Sequence, residues 1–144
     1  MSELEALLNE EIPLTNAIGI KVLAEQQGML SLSAPLSNNI NHKATAFGGS
    51  LYCVAVLTGW GLVHQLLKRH QSSGHIVIQQ SHCDYLLPVD GEIISHCRFD
   101  SEAQHQRFIR TYQRRGKARI KLTVEIQHHN HIAMRFTGHY VVHQ

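Results

Sequence analysis

Leu4, Leu7, Leu8 and Ile12 recur at helical spacing, and Pro13 interrupts them, which predicts a short amphipathic helix at the start of the chain. Alternating apolar and polar positions then predict two strands, 18–25 and 29–36, joined by a turn around Gln27-Gly28. The longest apolar run, 51–67, follows a polar loop carrying Asn38, Asn39 and Asn41. Val54, Ala55, Val56, Leu57, Trp60, Leu62 and Val63 leave it no polar stripe before His64, so the helix predicted here must be wrapped on most sides. It starts near 45–49 and ends before Ser72-Ser73-Gly74. Strand alternation returns at 76–87, 92–99, 118–127 and 132–142, with turns at 88–91 and 128–131 and a loop ahead of the third of these strands. The order of helix, two strands, buried helix and four strands predicts an α+β domain whose antiparallel sheet curls around one helix.

At 144 residues the chain fits a single domain, 1–144, and no linker or repeat divides it. The apolar run is too short and too interrupted, by Thr58, Gly59, Gly61 and His64, to read as a membrane span. The first eleven residues alternate Leu with Glu and do not resemble an export leader, which makes the cytoplasm the expected location. Cys53, Cys83 and Cys97 are odd in number and lack C-x-x-C spacing, against a disulfide framework or a structural zinc site. A net charge of +2 does not suggest a nucleic-acid binder.

The junction at 41–50, NHKATAFGGS, is the most informative segment, because a double glycine running into an apolar helix points bare backbone N–H groups and a positive dipole end at whatever lies before them. With the residues that follow, NHKATAFGGSLYCVAVLTGW (41–60) resembles a family of thioesterase-like domains of the hot-dog superfamily that occur alone or fused behind an N-acetyltransferase domain. The resemblance implies a hot-dog fold for nearly the whole chain, here in the stand-alone form. Members of that family are associated with decarboxylation of malonyl-acyl carrier protein.

Hot-dog thioesterases often carry an Asn six residues before the position that precedes the double glycine, and Asn41 and Phe47 meet that spacing. Where many relatives have His, this chain has Phe47, and where they place an Asp or Glu about two turns into the helix it has Ala55, Val56, Leu57 and Thr58. No acid occurs from 47 to 70. Hydrolysis needs an activated water. Decarboxylation of a malonyl thioester needs a place for the enolate oxygen and surroundings that do not stabilise the carboxylate. Backbone N–H groups near Gly48 and Gly49 suit the first requirement, with Asn41 as a second donor or orienting group, and apolar Phe47 and Val56 suit the second. Gly48-Gly49 could equally be a tight helix start, and Asn41 a turn residue bonded to nearby backbone. His42 is the nearest titratable group and a candidate proton donor or hydrolytic base, though a loop His is often simply solvated. Ser50 and Thr58 are hydroxyls on the same helix that could touch substrate, with capping and packing as their alternative duties. Asp84 is a reserve acid, and Asp90 reads as a turn residue.

Arg107, Arg110, Arg114, Arg115, Lys117, Arg119 and Lys121 fall within fifteen residues. They form either a solvated face or a patch that steers an acidic carrier protein or holds pantetheine-linked phosphates, with Arg115 and Lys117 the candidate substrate contacts. The run lacks interleaved aromatics, which disfavours nucleic acid. His128, His129 and His131 invite a metal hypothesis, but no Cys or acid is spaced to complete a tetrahedral set, and neither metal nor cofactor is expected. Gly59 and Gly61 point to close contact of the helix with the sheet or a second helix.

One curled sheet leaves open edges, so the expected assembly is a homodimer or a dimer of dimers, with each site at the interface as the resemblance implies. The activity expected is conversion of malonyl-acyl carrier protein to the acetyl form, a primer for fatty-acid synthesis. Its rivals are an acyl-CoA or acyl-carrier thioesterase and a non-catalytic acyl-thioester-binding module.

Overall fold

The computed structural model describes residues 1–144. Ser2 Oγ accepts the Glu5 N–H at 3.1 Å and starts α1 (Glu3–Glu11), which buries Leu4 and Leu8. Pro13 ends this helix and also begins another, α2 (Leu14–Ile18), because its fixed φ suits a helix start and it has no N–H to leave unsatisfied. Gly19, at φ 79°, closes α2. The first strand therefore starts at Lys21 rather than Ile18: β1 is Lys21–Gln26, and Gly28, also at φ 79°, turns it into β2 (Met29–Ala34). A 3₁₀ turn (Leu36–Asn38) leads through the Asn loop to α3 (Gly48–Arg69), followed by β3 (His75–Tyr85) and β4 (Ile93–Arg98).

The segment read as a loop from sequence is a helix, α4 (Glu102–Arg115). Ser101 accepts the Gln104 N–H at one end, and Gly116 at φ 72° closes the other. Phe108, Ile109 and Tyr112 form its only buried stripe, and the Tyr112 hydroxyl donates to the Ser73 carbonyl at 2.5 Å, seating α4 against the chain just beyond α3. The last hairpin joins β5 (Lys117–His128) to β6 (His131–His143) through His129 and Asn130, both at positive φ (50° and 65°), as a two-residue turn requires.

All six strands form one antiparallel sheet in the order β1-β2-β4-β5-β6-β3. β3, the strand that follows α3, thus crosses to the far edge and pairs with the last strand. The sheet curls around α3, which packs on β2 to β6 over one continuous apolar core. The two glycines in the middle of the helix, Gly59 and Gly61, serve this approach. A Cβ on Gly59 would collide with the Tyr140 hydroxyl, and one on Gly61 would lie 2.6 Å from Leu30 Cδ2. Along the opposite side, Gly49, Tyr52, Cys53, Val56, Trp60 and His64 remain only partly buried.

Candidate active site

The loop that delivers the chain to α3 is held on three sides. Asn41 Oδ1 accepts the Lys43 N–H (2.8 Å) and the Thr45 N–H (3.1 Å), and one Asn41 amide hydrogen goes to Thr45 Oγ1 (2.9 Å). The Ala46 N–H donates to the Val89 carbonyl and the Phe47 N–H to the Asn39 carbonyl, each at 2.7 Å. The Asn39 amide is in turn buried against the carbonyls of Ile18 and Pro35 (3.0 and 2.7 Å). Asn38, whose amide donates to the Ala17 carbonyl at 3.2 Å, and Asn39 are thus structural anchors, and Asn41 is the loop's internal brace. The brace leaves one Asn41 amide hydrogen free.

Phe47 precedes α3 with extended backbone and offers no side-chain cap, and the intrachain bonds of the first turn begin at Ser50 N and Leu51 N, both onto the Phe47 carbonyl. The N–H groups of Gly48 and Gly49 have no hydrogen-bond partner within the chain. They sit at the positive end of a 22-residue helix with no acid in its first turn. A Cβ on Gly49 would run into the Phe47 ring, so the second glycine is required by the close fold-back of that side chain. Ser50 is partly buried beside it without a side-chain bond.

The wall opposite comes from the end of β3. Tyr85 donates its hydroxyl to the Gly48 carbonyl at 3.1 Å, and Tyr52 on α3 bonds Ser81 at 2.6 Å, so Ser81, Cys83 and Tyr85 face the helix. Ala46, Gly48, Leu51, Tyr85, Leu86 and Leu87 line a cleft of about 240 Å³ at the helix start. A larger groove, about 660 Å³, runs between α1 and the last turns of α3, at the opposite end of the helix from Gly48. Phe47 (58 % exposed), Tyr85 (53 %) and Leu86 (50 %) present apolar surface around the cleft.

Tyr85, Cys53 and Cys83 are held in their neutral forms. Burial raises the Tyr85 pKa, with Cys83, Tyr52 and Cys53 adding to it. Burial likewise raises the Cys53 thiol, and burial and then Asp84 raise Cys83. Neither thiol is poised as a thiolate nucleophile.

The remaining residues singled out from sequence fall in different places. His42 is exposed at the tip of the Asn41 loop. Val56 is half-buried on the open side of α3, and its carbonyl accepts the Tyr140 hydroxyl (2.7 Å). Thr58 corrects its expectation as a substrate contact: it is fully buried, donating to the Val54 carbonyl (2.7 Å) and meeting Ser95 Oγ (2.8 Å) on β4, because its position in the helix turns it toward the sheet. Asp84 alternates with Cys83 and Tyr85, so it lies on the outer face of the sheet with His82 (3.1 Å). Asp90 contacts His128 (2.5 Å) and His129 (3.7 Å), a trio whose ligand atoms lie within 4.8 Å of one another. The Asp90–His128 contact ties the 88–91 turn to the last hairpin, while His131 stands outside the trio. Arg115 and Lys117 flank Gly116 at the other end of the fold, where Lys117 pairs with His143 and His143 with His75. They are separated from Gly48 by the length of α3, 22 residues or roughly 33 Å.

Tyr85 was not among the residues expected at the site. Strand alternation could place it on the helix-facing side, but which helix residue it meets depends on β3 lying next to β6.

The family described as "Putative thioesterase (yiiD_Cterm)" matches residues 1–144. The chain belongs to this family. Among solved structures, a protein of unknown function from Chlorobaculum tepidum superposes with a TM-score of 0.93 at 30% identity, covering 99% of this chain and 93% of that one. The "putative thioesterase" of Shewanella oneidensis follows at a TM-score of 0.87 and 33% identity, covering 98% and 95%. A mutant form of the phenylacetic acid degradation protein PaaI of Thermus thermophilus shares the fold alone, at 21% identity and a TM-score of 0.62 over 92% of this chain and 99% of that one. The architecture is the hot-dog fold, and the family is one of proteins acting on thioesters.

Proposed function

We propose that the protein decarboxylates a malonyl thioester, converting malonyl-acyl carrier protein to the acetyl form that primes fatty-acid synthesis in the cytoplasm. The observation that carries this reading is the pair of unbonded N–H groups at Gly48 and Gly49 on a helix that has no acid from 47 to 70. The thioester carbonyl oxygen binds to these groups, with the free Asn41 amide hydrogen as a further donor. The bond between the α-carbon and the carboxylate breaks, its electron pair passes to the α-carbon and into the carbonyl as an enolate, and carbon dioxide leaves. A solvent proton then ends on the α-carbon to give the acetyl thioester. One well-placed donor to the enolate oxygen lowers the barrier by roughly 2.7–4 kcal/mol. Phe47 and Val56 leave the carboxylate poorly solvated, which favours its departure.

A second copy of the chain completes this site. β3 is an unpaired edge that is exposed along most of its length, with Val77 (45 % exposed) an exposed apolar position toward its start and Tyr85 another at its end. Antiparallel pairing of two β3 edges lays the His75 end of one strand beside the Tyr85 end of the other. Arg115 and Lys117 of one protomer then approach the helix start of its partner, where they suit the phosphates of a pantetheine-bearing substrate.

The family description favours a second reading, hydrolysis of an acyl-CoA or acyl-carrier thioester. It requires a base that α3 does not supply, leaving His42 or a positioned water, since Asp84 faces away. A thiol reagent separates the two readings. Decarboxylation releases no thiol from the malonyl substrate at any time, whereas hydrolysis releases one thiol per turnover.

A further inference from the structure

The seven cations singled out from sequence are brought together by two elements. Arg107, Arg110, Arg114 and Arg115 project from the solvent side of α4, whose other side buries Phe108, Ile109 and Tyr112. Lys117, Arg119 and Lys121 alternate with buried Ala118, Ile120 and Leu122 and so stand on the outer face of β5. All seven are exposed, and neither the ion pairs Lys68–Glu3 and Arg135–Glu125 nor the three His–Asp contacts use any of them. From 103 to 124 the chain holds no Asp or Glu. Across the register from Lys121 lies His139, whose pKa is lowered by desolvation and then by Arg119 and Lys121. With an overall charge of only +2, this is a local concentration of positive charge rather than a property of the whole surface.

We propose that the face built by α4 and the outer side of β5 docks an acidic protein surface, that of a carrier presenting the acyl thioester. The extent of the patch argues for a protein. α4 covers 14 residues, about 21 Å, and Lys117 to Lys121 runs back beside it for about 13 Å, with Gln104 Nε2 donating to the Lys121 carbonyl (2.8 Å) and Arg107, Arg119 and Lys121 lining one shallow cleft. The phosphates of one nucleotide-bearing thioester engage two or three adjacent cations and leave the others without a partner. Nucleic acid fits less well, because the aromatics of this region, Phe108 and Tyr112, are buried and offer no stacking surface. The inference takes the identity of the cargo from the thioester reading above, but docking itself is measurable without turnover.

The test is calorimetric binding of unacylated holo-acyl carrier protein to wild type and to a triple charge reversal, Arg110→Glu, Arg114→Glu and Arg119→Glu, across a salt series. Wild type should bind with a Kd that rises steeply with salt, and the reversal should weaken binding by about tenfold or more at low salt. The matching triple Gln variant should fall between them. Turnover of a CoA thioester by the reversal variant should stay within about twofold of wild type, since Arg115 and Lys117, the cations assigned to the phosphates of a small thioester, are kept in it. Equal carrier affinity in wild type and reversal variant overturns the proposal, as does carrier binding that does not weaken with salt. Tighter binding of a DNA duplex than of the carrier overturns it too. Failure of decarboxylation with carrier binding intact would remove the reaction and leave the docking face standing.

Discussion

Asn41 has two duties that a single substitution confounds: its oxygen braces the loop through the Lys43 and Thr45 N–H groups, and its remaining amide hydrogen is free for substrate. Asn41→Ala should lower turnover about 100-fold with little loss of thermal stability. Asn41→Asp keeps the bracing acceptors and removes the donor, so it should be as impaired. If Asn41→Asp turns over normally, the residue acts only as a brace. The spacing of Asn41, Phe47 and the glycines was legible in the sequence because it is local. The neutral Tyr85 wall was not, since its partner lies 37 residues away. His64 tests a second residue-level point. Desolvation, and secondarily Lys68, lowers its pKa against an opposing pull from Glu25. The unfolded chain takes up this proton near 6.5 while the folded chain resists it, so stability is complete above 6.5 and declines as pH falls toward the lowered folded value. Replacing His64 with Gln should flatten the slope of Tm against pH just below 6.5, and an unchanged slope would contradict this.

At the scale of elements, α3 could be read because its apolar residues cover it almost entirely, and its two glycines announced the close approach that the fold contains. Gly59→Ala drives a methyl into the Tyr140 hydroxyl that bonds the Val56 carbonyl, and should cost about 1–3 kcal/mol of stability by thermal or denaturant unfolding. A wild-type midpoint would mean that the helix and β6 can separate at no cost. α4 was illegible for the opposite reason. Only Phe108, Ile109 and Tyr112 of its residues are buried, and its polar composition reads as a solvated loop unless the caps Ser101 and Gly116 are given weight. α2 was hidden by Pro13, which ends one helix and starts the next within a single residue. The strands themselves were placed to within a few residues by alternation alone.

For the molecule as a whole, the number of strands and their wrapping of one helix followed from the pattern, but the sheet order did not. No local signal says that β3 must cross to the far edge, and that placement leaves an unpaired strand edge that ends beside the helix start. Light scattering should accordingly give at least twice the chain mass of 16.3 kDa. Specific activity should fall on dilution in step with dissociation, and a fully active monomer would contradict a shared site. The central claim, decarboxylation without hydrolysis, is tested most directly by intact-mass analysis of malonyl-acyl carrier protein incubated with the purified protein. The account predicts a carrier lighter by one carbon dioxide and still acylated; release of unacylated carrier, or an unchanged malonyl form, would contradict it.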